Sequence, residues 1–254
     1  MHRTAKRHAT TSNLIVLAAM AAALGACKKD ADEDAPPAAT GQVALSYGFH
    51  WGGPDFELGE TYTDAFGHAV VFDTLRYFVS DLVFENLDGD IHDFENQRLL
   101  LSAESEGTVV LGTLTPRTLD SLHLSLGLNS TVNHADPATA AAPLNDTTMH
   151  WGPGTANGYF FLVVRGRVDD DATGVVDADD PVFSYRCGTD ALRRSLTFHF
   201  GHSVFAGFTS AKHLHFQVDE LFTGIDLLTT ASATGAAPVN VQLMDNLAAA
   251  LELE

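Results

Sequence analysis

Short apolar runs with a period of two recur along the chain and constrain its fold more than any other feature. Val43, Leu45, Tyr47 and Phe49 alternate with Ala44, Ser46, Gly48 and His50. Leu122, Leu124 and Leu126 alternate with His123 and Ser125, and Leu196, Phe198 and Phe200 form a similar set, as do Leu214, Phe216 and Val218. Side chains two apart on a strand share a face, so each run describes a strand with one face turned to a core. Residues 75–84 read as a longer mixed strand and 159–164, a continuous apolar run, as a central one. Helical periodicity is confined to 241–253, where Leu243, Leu247 and Leu251 recur every four residues. The pattern predicts an all-β domain: an antiparallel β-sandwich with long loops and a short C-terminal helix. The longest loop is expected over 127–158, and loops of that length in a compact domain usually carry function.

The N-terminus reads differently. Arg3, Lys6 and Arg7 precede an apolar run over 14–26 that ends in Leu24-Gly25-Ala26-Cys27. Thirteen apolar residues are too few to span a bilayer and fit the hydrophobic region of a signal peptide. Small residues followed by cysteine resemble a bacterial lipobox, in which Cys27 is lipidated and becomes the mature N-terminus. Residues 1–26 are then a lipoprotein signal peptide, 27–41 a flexible acidic tether and 42–254 the folded domain. Lys28 after the cysteine is similar to the pattern of outer-membrane lipoproteins, facing the periplasm or the cell surface. Acylation of Cys27 leaves Cys187 without a disulfide partner, so Cys187 is expected to be buried and inert.

Charge narrows the partners. The chain carries 14 Lys+Arg against 33 Asp+Glu, a net charge of −19. This excludes nucleic acid as a partner, which requires a concentrated basic patch, and disfavours electrostatic binding to anionic lipid. It suits a protein that attracts cations.

No phosphate loop, dinucleotide fingerprint, HExxH, CxxC or nucleophile elbow is present. Histidine stands out instead, with 12 in the chain and only His2 and His8 lying in the leader. Neutral imidazole is a good ligand for copper and zinc. His213-Leu214-His215 places two imidazoles on one strand face. If the strand bearing His199 pairs with it as a hairpin, His199, His213 and His215 share an exposed face and can converge on one ion. The alternative is a solvated face. His134, within Asn133-His134-Ala135-Asp136-Pro137, is either a ligand or part of turn chemistry. His50 beside Trp51 closes the first strand, as a site or as an aromatic cap. Asp169, Asp170, Asp171, Asp177, Asp179 and Asp180 lack the EF-hand spacing and read as a solvated loop.

Four segments, in order, resemble a known family. They are Leu75-Arg76-Tyr77-Phe78-Val79-Ser80-Asp81; Leu126-Gly127-Leu128-Asn129-Ser130; Asn133-His134-Ala135-Asp136-Pro137 through Pro143-Leu144-Asn145 and Met149-His150-Trp151 to Gly158-Tyr159; and Phe183-Ser184-Tyr185 with Arg193-Arg194-Ser195-Leu196 and Val218-Asp219. Together they are similar to the MbnP-like family, secreted copper-binding proteins of bacteria, over roughly residues 42–253. The resemblance implies a β-sandwich-like fold and a copper site built from histidines, with His134 as the best-matched position and His50 and His92 as companions. In some members a tryptophan oxidised to kynurenine joins the site; Trp51 and Trp151 are the candidates here. The oxidation is attributed to a di-haem peroxidase-like partner, and an outer-membrane receptor is implied as well. The expected function is lipid-anchored copper binding at the cell envelope, for uptake, storage or handover, without catalysis. The alternatives are a metal-free surface-binding or adhesion module and a copper oxidase. Whether His134 or the strand histidines form the site stays open at this point.

Overall fold

The computed structural model describes residues 38–94, 97–152, 158–230 and 232–254. Cys27, with the leader and most of the tether, lies outside the described residues. In chain order the strands are β1 (Gly41–His50), β2 (Thr61–Thr63), β3 (Ala69–Asn86), β4 (Ile91–Asp93), β5 (Arg98–Ser102), β6 (Gly107–Leu114) and β7 (Arg117–Leu126). They continue as β8 (Leu162–Val168), β9 (Val182–Cys187), β10 (Arg194–Val204), β11 (Thr209–Gln217), β12 (Ala233–Thr234) and β13 (Leu251–Leu253). Among the described residues the α-helices are α1 (Ser130–Asn133) and α2 (Pro238–Ala249).

The strands form two sheets. The smaller runs β13-β11-β1-β6, and the larger is built on β10-β7-β3-β8-β9-β12, with β2, β4 and β5 also pairing with β3. As the alternation predicts, Val43, Leu45 and Phe49 on β1 and Leu214 and Phe216 on β11 are buried. Phe49 and Phe216 of the small sheet meet Tyr77 of the large one, with ring centroids 6.1 and 5.4 Å away. Such edge-to-face contacts join the two layers of the sandwich. Burying side chains of this size stabilises the fold by roughly 1.5–3 kcal/mol each.

Three expectations need correcting. The sandwich is not purely antiparallel, because β1 runs parallel to β11 and β12 to β9. β10 and β11 do not form a hairpin: β10 pairs with β7 in the large sheet, while β11 pairs with β1 and β13. The turn at 205–208 carries the chain from one layer to the other, so His199 does not share a face with His213 and His215. The helix expected over 241–253 ends at Ala249, and Leu251–Leu253 is a strand. Leu251 continues the spacing of four, but Leu251 and Leu253 also fit a period of two, and pairing with Phe216 and Leu214 decides. Cys187 is buried, and burial pushes its thiol pKa well up, which keeps it protonated and inert.

Candidate metal centre

The parallel register of β1 and β11 builds the site. Ser46 lies opposite His213, Gly48 opposite His215 and His50 opposite Gln217. With Tyr47, Phe49, Leu214 and Phe216 turned to the core face, these even positions of β1 and the histidines of β11 share the outer face. His50, His213 and His215 each present one ring nitrogen, and the three atoms lie within 4.8 Å of one another. Their rings lie close and tilted, with centroids 4.1 Å apart for His213 and His215 and 4.9 Å for His50 and His215. Donor nitrogens around one ion with bonds of about 2.0–2.1 Å stand about 3–4 Å apart, so small side-chain adjustments close this set on a metal.

Gly48 makes the convergence possible. A Cβ there would stand 3.1 Å from His213 Nε2, 3.2 Å from Glu106 Oε1 and 3.4 Å from His50 Nε2. The missing side chain leaves a hollow toward which all three atoms point. A glycine inside a strand weakens it and often marks such a close approach.

An oxygen stands behind each imidazole, and for His213 it is hydrogen-bonded. The Ser46 hydroxyl donates to the Lys212 carbonyl at 3.2 Å, so its oxygen accepts from His213 Nδ1 at 2.9 Å. That assigns the proton to Nδ1 and leaves Nε2 with a bare lone pair. His213 Nε2 is buried without a hydrogen-bond partner, which is costly unless something fills the hollow. Burial first, then the neighbouring His215 and His50, lowers the His213 pKa, so the ring is neutral and ready to coordinate. His215 Nε2 faces Glu254 Oε2 at 3.3 Å, and His50 Nδ1 faces Asp55 Oδ1 at 3.4 Å. The remaining nitrogens, His215 Nδ1 and His50 Nε2, meet at 2.8 Å and share a hydrogen bond. Oxygen partners behind metal-ligating imidazoles are the usual device for fixing tautomer and ring orientation. The donor set and the cradle both fit a copper or zinc ion.

The other sequence candidates lie elsewhere. His134 caps the C-terminus of α1, and its Nε2 is 3.2 Å from Asp190 Oδ2. The residue before it explains much of the local motif. Buried Asn133 accepts from the Tyr159 N–H at 2.8 Å and donates to Asp190 Oδ1 at 2.7 Å. Gly158, at φ +75°, must be glycine, since a Cβ would lie 2.4 Å from Asn133 Oδ1. His92, on β4, takes hydrogen bonds from Arg117, with Nε2 2.6 Å from Nη1; burial and that guanidinium lower its pKa. His199 is exposed on β10. Trp51 follows His50 but stacks on Tyr62 at 4.8 Å, and Trp151 packs against Phe160 at 4.9 Å. Asp169 and Asp180 are buried, not solvated; their carboxylates accept backbone N–H groups of their own loop.

The MbnP family model matches residues 40–242. The chain belongs to the MbnP family. Among solved structures it is similar to MbnP from Methylosinus trichosporium, at 15% identity and a TM-score of 0.54, over 76% of this chain and 81% of that one. At that identity the likeness speaks for the fold. Comparison with curated proteins returns no match. His50, His213, His215 and Glu106 all fall within the part matched to the MbnP family, whereas Glu254 lies beyond it.

Strand alternation marks His213 and His215 as a pair, and the family resemblance marks His50. Nothing in the sequence joins them, because their pairing spans more than 160 residues. Ser46, Gly48, Glu106 and Glu254 belong to no motif that marks them. For the first two a signal was present: the alternation that buries Tyr47 and Phe49 also puts Ser46 and Gly48 on the face of His50.

Proposed function

We propose that this protein is a non-catalytic copper-binding protein of the bacterial cell envelope, and that His50, His213 and His215 hold the ion. Membership of the MbnP family supports a copper-related role in general terms. The observation that carries the residue assignment is the convergence of three imidazole rings, each with a nitrogen within 4.8 Å of the others, where His213 Nε2, beside Gly48, is buried and unpartnered. Imidazole donors suit copper, which sits at the top of the affinity order for divalent first-row metals. Coordination would be reversible, as uptake, storage or handover requires. Anchoring through Cys27 in the outer membrane, a di-haem peroxidase-like partner and a receptor for handover belong to the same proposal.

Copper titration tests it, using the purified mature chain with Cys27 acylated or replaced by serine, so that no accessible thiol competes. One copper per chain is expected, bound more tightly than zinc or nickel. His213→Ala should lower the affinity at least tenfold, and His134→Ala should leave it within about twofold. Loss in His134→Ala alone would move the site to the long loop. No binding at micromolar copper with every histidine intact would leave a metal-free surface-binding module.

A further inference from the structure

Resting on the Cys27 anchor in the reading above, we propose that the end of the sandwich where the chain enters β1 is a lipid-facing surface, with Phe205 and Phe208 seated in the headgroup region of the bilayer. β1, β7 and β11 start at this end and β3, β6 and β10 finish there: Gln42 lies opposite Thr209, Gly41 opposite Leu114, Arg117 opposite Val204 and Asn86 opposite Leu119. Four of the five most exposed large apolar side chains among the described residues stand at its turns. They are Phe205 (61%) and Phe208 (70%) between β10 and β11, and Leu87 (73%) and Ile91 (68%) where β3 turns into β4. β10, β7 and β3 are neighbours, so the two turns stand about two strand spacings, roughly 10 Å, apart. Exposed apolar side chains gathered at one end mark an interaction surface.

The occupant follows from where the chain comes in. The Thr40 carbonyl accepts from the Gly207 N–H, and the Phe208 carbonyl accepts from the Gln42 N–H, each at 2.9 Å. Thirteen residues separate Cys27 from Gly41, so an acyl group on Cys27 tethers this end of the sandwich to the lipid. No charged residue occurs from Ser203 to Ala211, so the turn with the two phenylalanines can approach a bilayer without desolvating a charge of its own. Asp88 and Asp90 flank Leu87, which puts the second turn at the rim of the contact. The opposite end also exposes Phe66 and Val175, but Val175 sits in a loop with exposed Asp170, Asp171, Asp177 and Asp179, which are costly to press against lipid. His50 lies nine residues along β1 from Gly41, roughly 30 Å at the rise of a strand. Seated this way, the domain turns the proposed copper site away from the bilayer into the aqueous compartment.

Tryptophan placed at each end reads its depth. The mature chain, expressed in a bacterium with its own leader and checked at Cys27 by mass spectrometry, is mixed with phosphatidylcholine vesicles whose acyl chains are brominated. After subtraction of the parent spectrum, Phe208→Trp should lose at least half of its emission and shift to the blue, whereas Phe66→Trp should lose less than a tenth. With Cys27 acylated, quenching of neither tryptophan, or of both alike, would overturn the lipid-facing end and leave the anchor standing. With Cys27 unmodified the anchor fails; quenching of Phe208→Trp alone would then still support the lipid surface, and its absence would remove both. A dimer in sedimentation that Phe208→Ser splits, without quenching of Phe208→Trp, would assign the turn to a second copy of the chain and overturn the lipid reading.

Discussion

Gly48 shows at the scale of one residue how the site and the fold place different demands on a strand. Glycine in a strand interior costs about 0.5–1 kcal/mol relative to alanine, and no positive φ requires it here. Its use is the hollow. Gly48→Ala should therefore leave the melting temperature unchanged or higher and lower copper affinity about tenfold, since the new methyl sits 3.1–3.4 Å from His213 Nε2 and His50 Nε2. Calorimetry and titration on one sample separate the two effects; a loss of stability matching the loss of affinity would show that Gly48 serves the strand instead. The sequence displayed this residue on the correct face, but an empty position attracts no notice until its neighbours are known.

Among the elements, the long loop illustrates how a motif can be legible and its meaning not. Asn133-His134 and Gly158-Tyr159 stand out in the sequence, and the structure closes them on each other through the Asn133 side chain and the short 3-10 turn at Asp190–Leu192. Asp190 gathers this junction. The Asn133 amide, more than the Ser130 hydroxyl and His134, holds its carboxyl below the ordinary carboxylate range. A depressed folded-state pKa adds stability above the unfolded value of about 3.9, and that stability is lost as pH falls through the folded value. The difference in stability between the parent and Asp190→Asn should be constant above about pH 5 and close below about pH 4. Denaturant melts at pH 7, 5, 4 and 3 check it, and a gap that does not change with pH over this range would show that the carboxylate charge is irrelevant to the junction. No spacing rule could have paired Asn133 with Asp190, because they come from segments separated by β8 and β9.

For the molecule as a whole, the proposed copper site would fasten β1 to β11, strands far apart in the chain. A ligand that binds only the folded state stabilises it by mass action, about 2.7 kcal/mol at a free concentration 100 times its dissociation constant. For a domain of this size each kcal/mol moves the melting temperature by about 2–4 °C. Copper at that concentration should raise it by roughly 5–10 °C in the parent and not in His213→Ala. An equal rise in both would place the stabilising ion elsewhere. The acidic balance, −19 over the chain, favours cations at this surface, so the apparent on-rate should fall with added salt.

Local chemistry was enough to determine that this chain builds strands, which faces they bury and that it is rich in imidazole, with 12 histidines. Alternation is a property of neighbours two residues apart, and it survives whatever the strand later pairs with. Partner choice does not. Whether β11 lies against β10 or against β1 leaves the same residues buried, so the apolar pattern cannot tell a hairpin from a parallel crossing. Packing between the layers made that choice, and with it moved His199 away and brought His50 and Glu106 to the two histidines of β11.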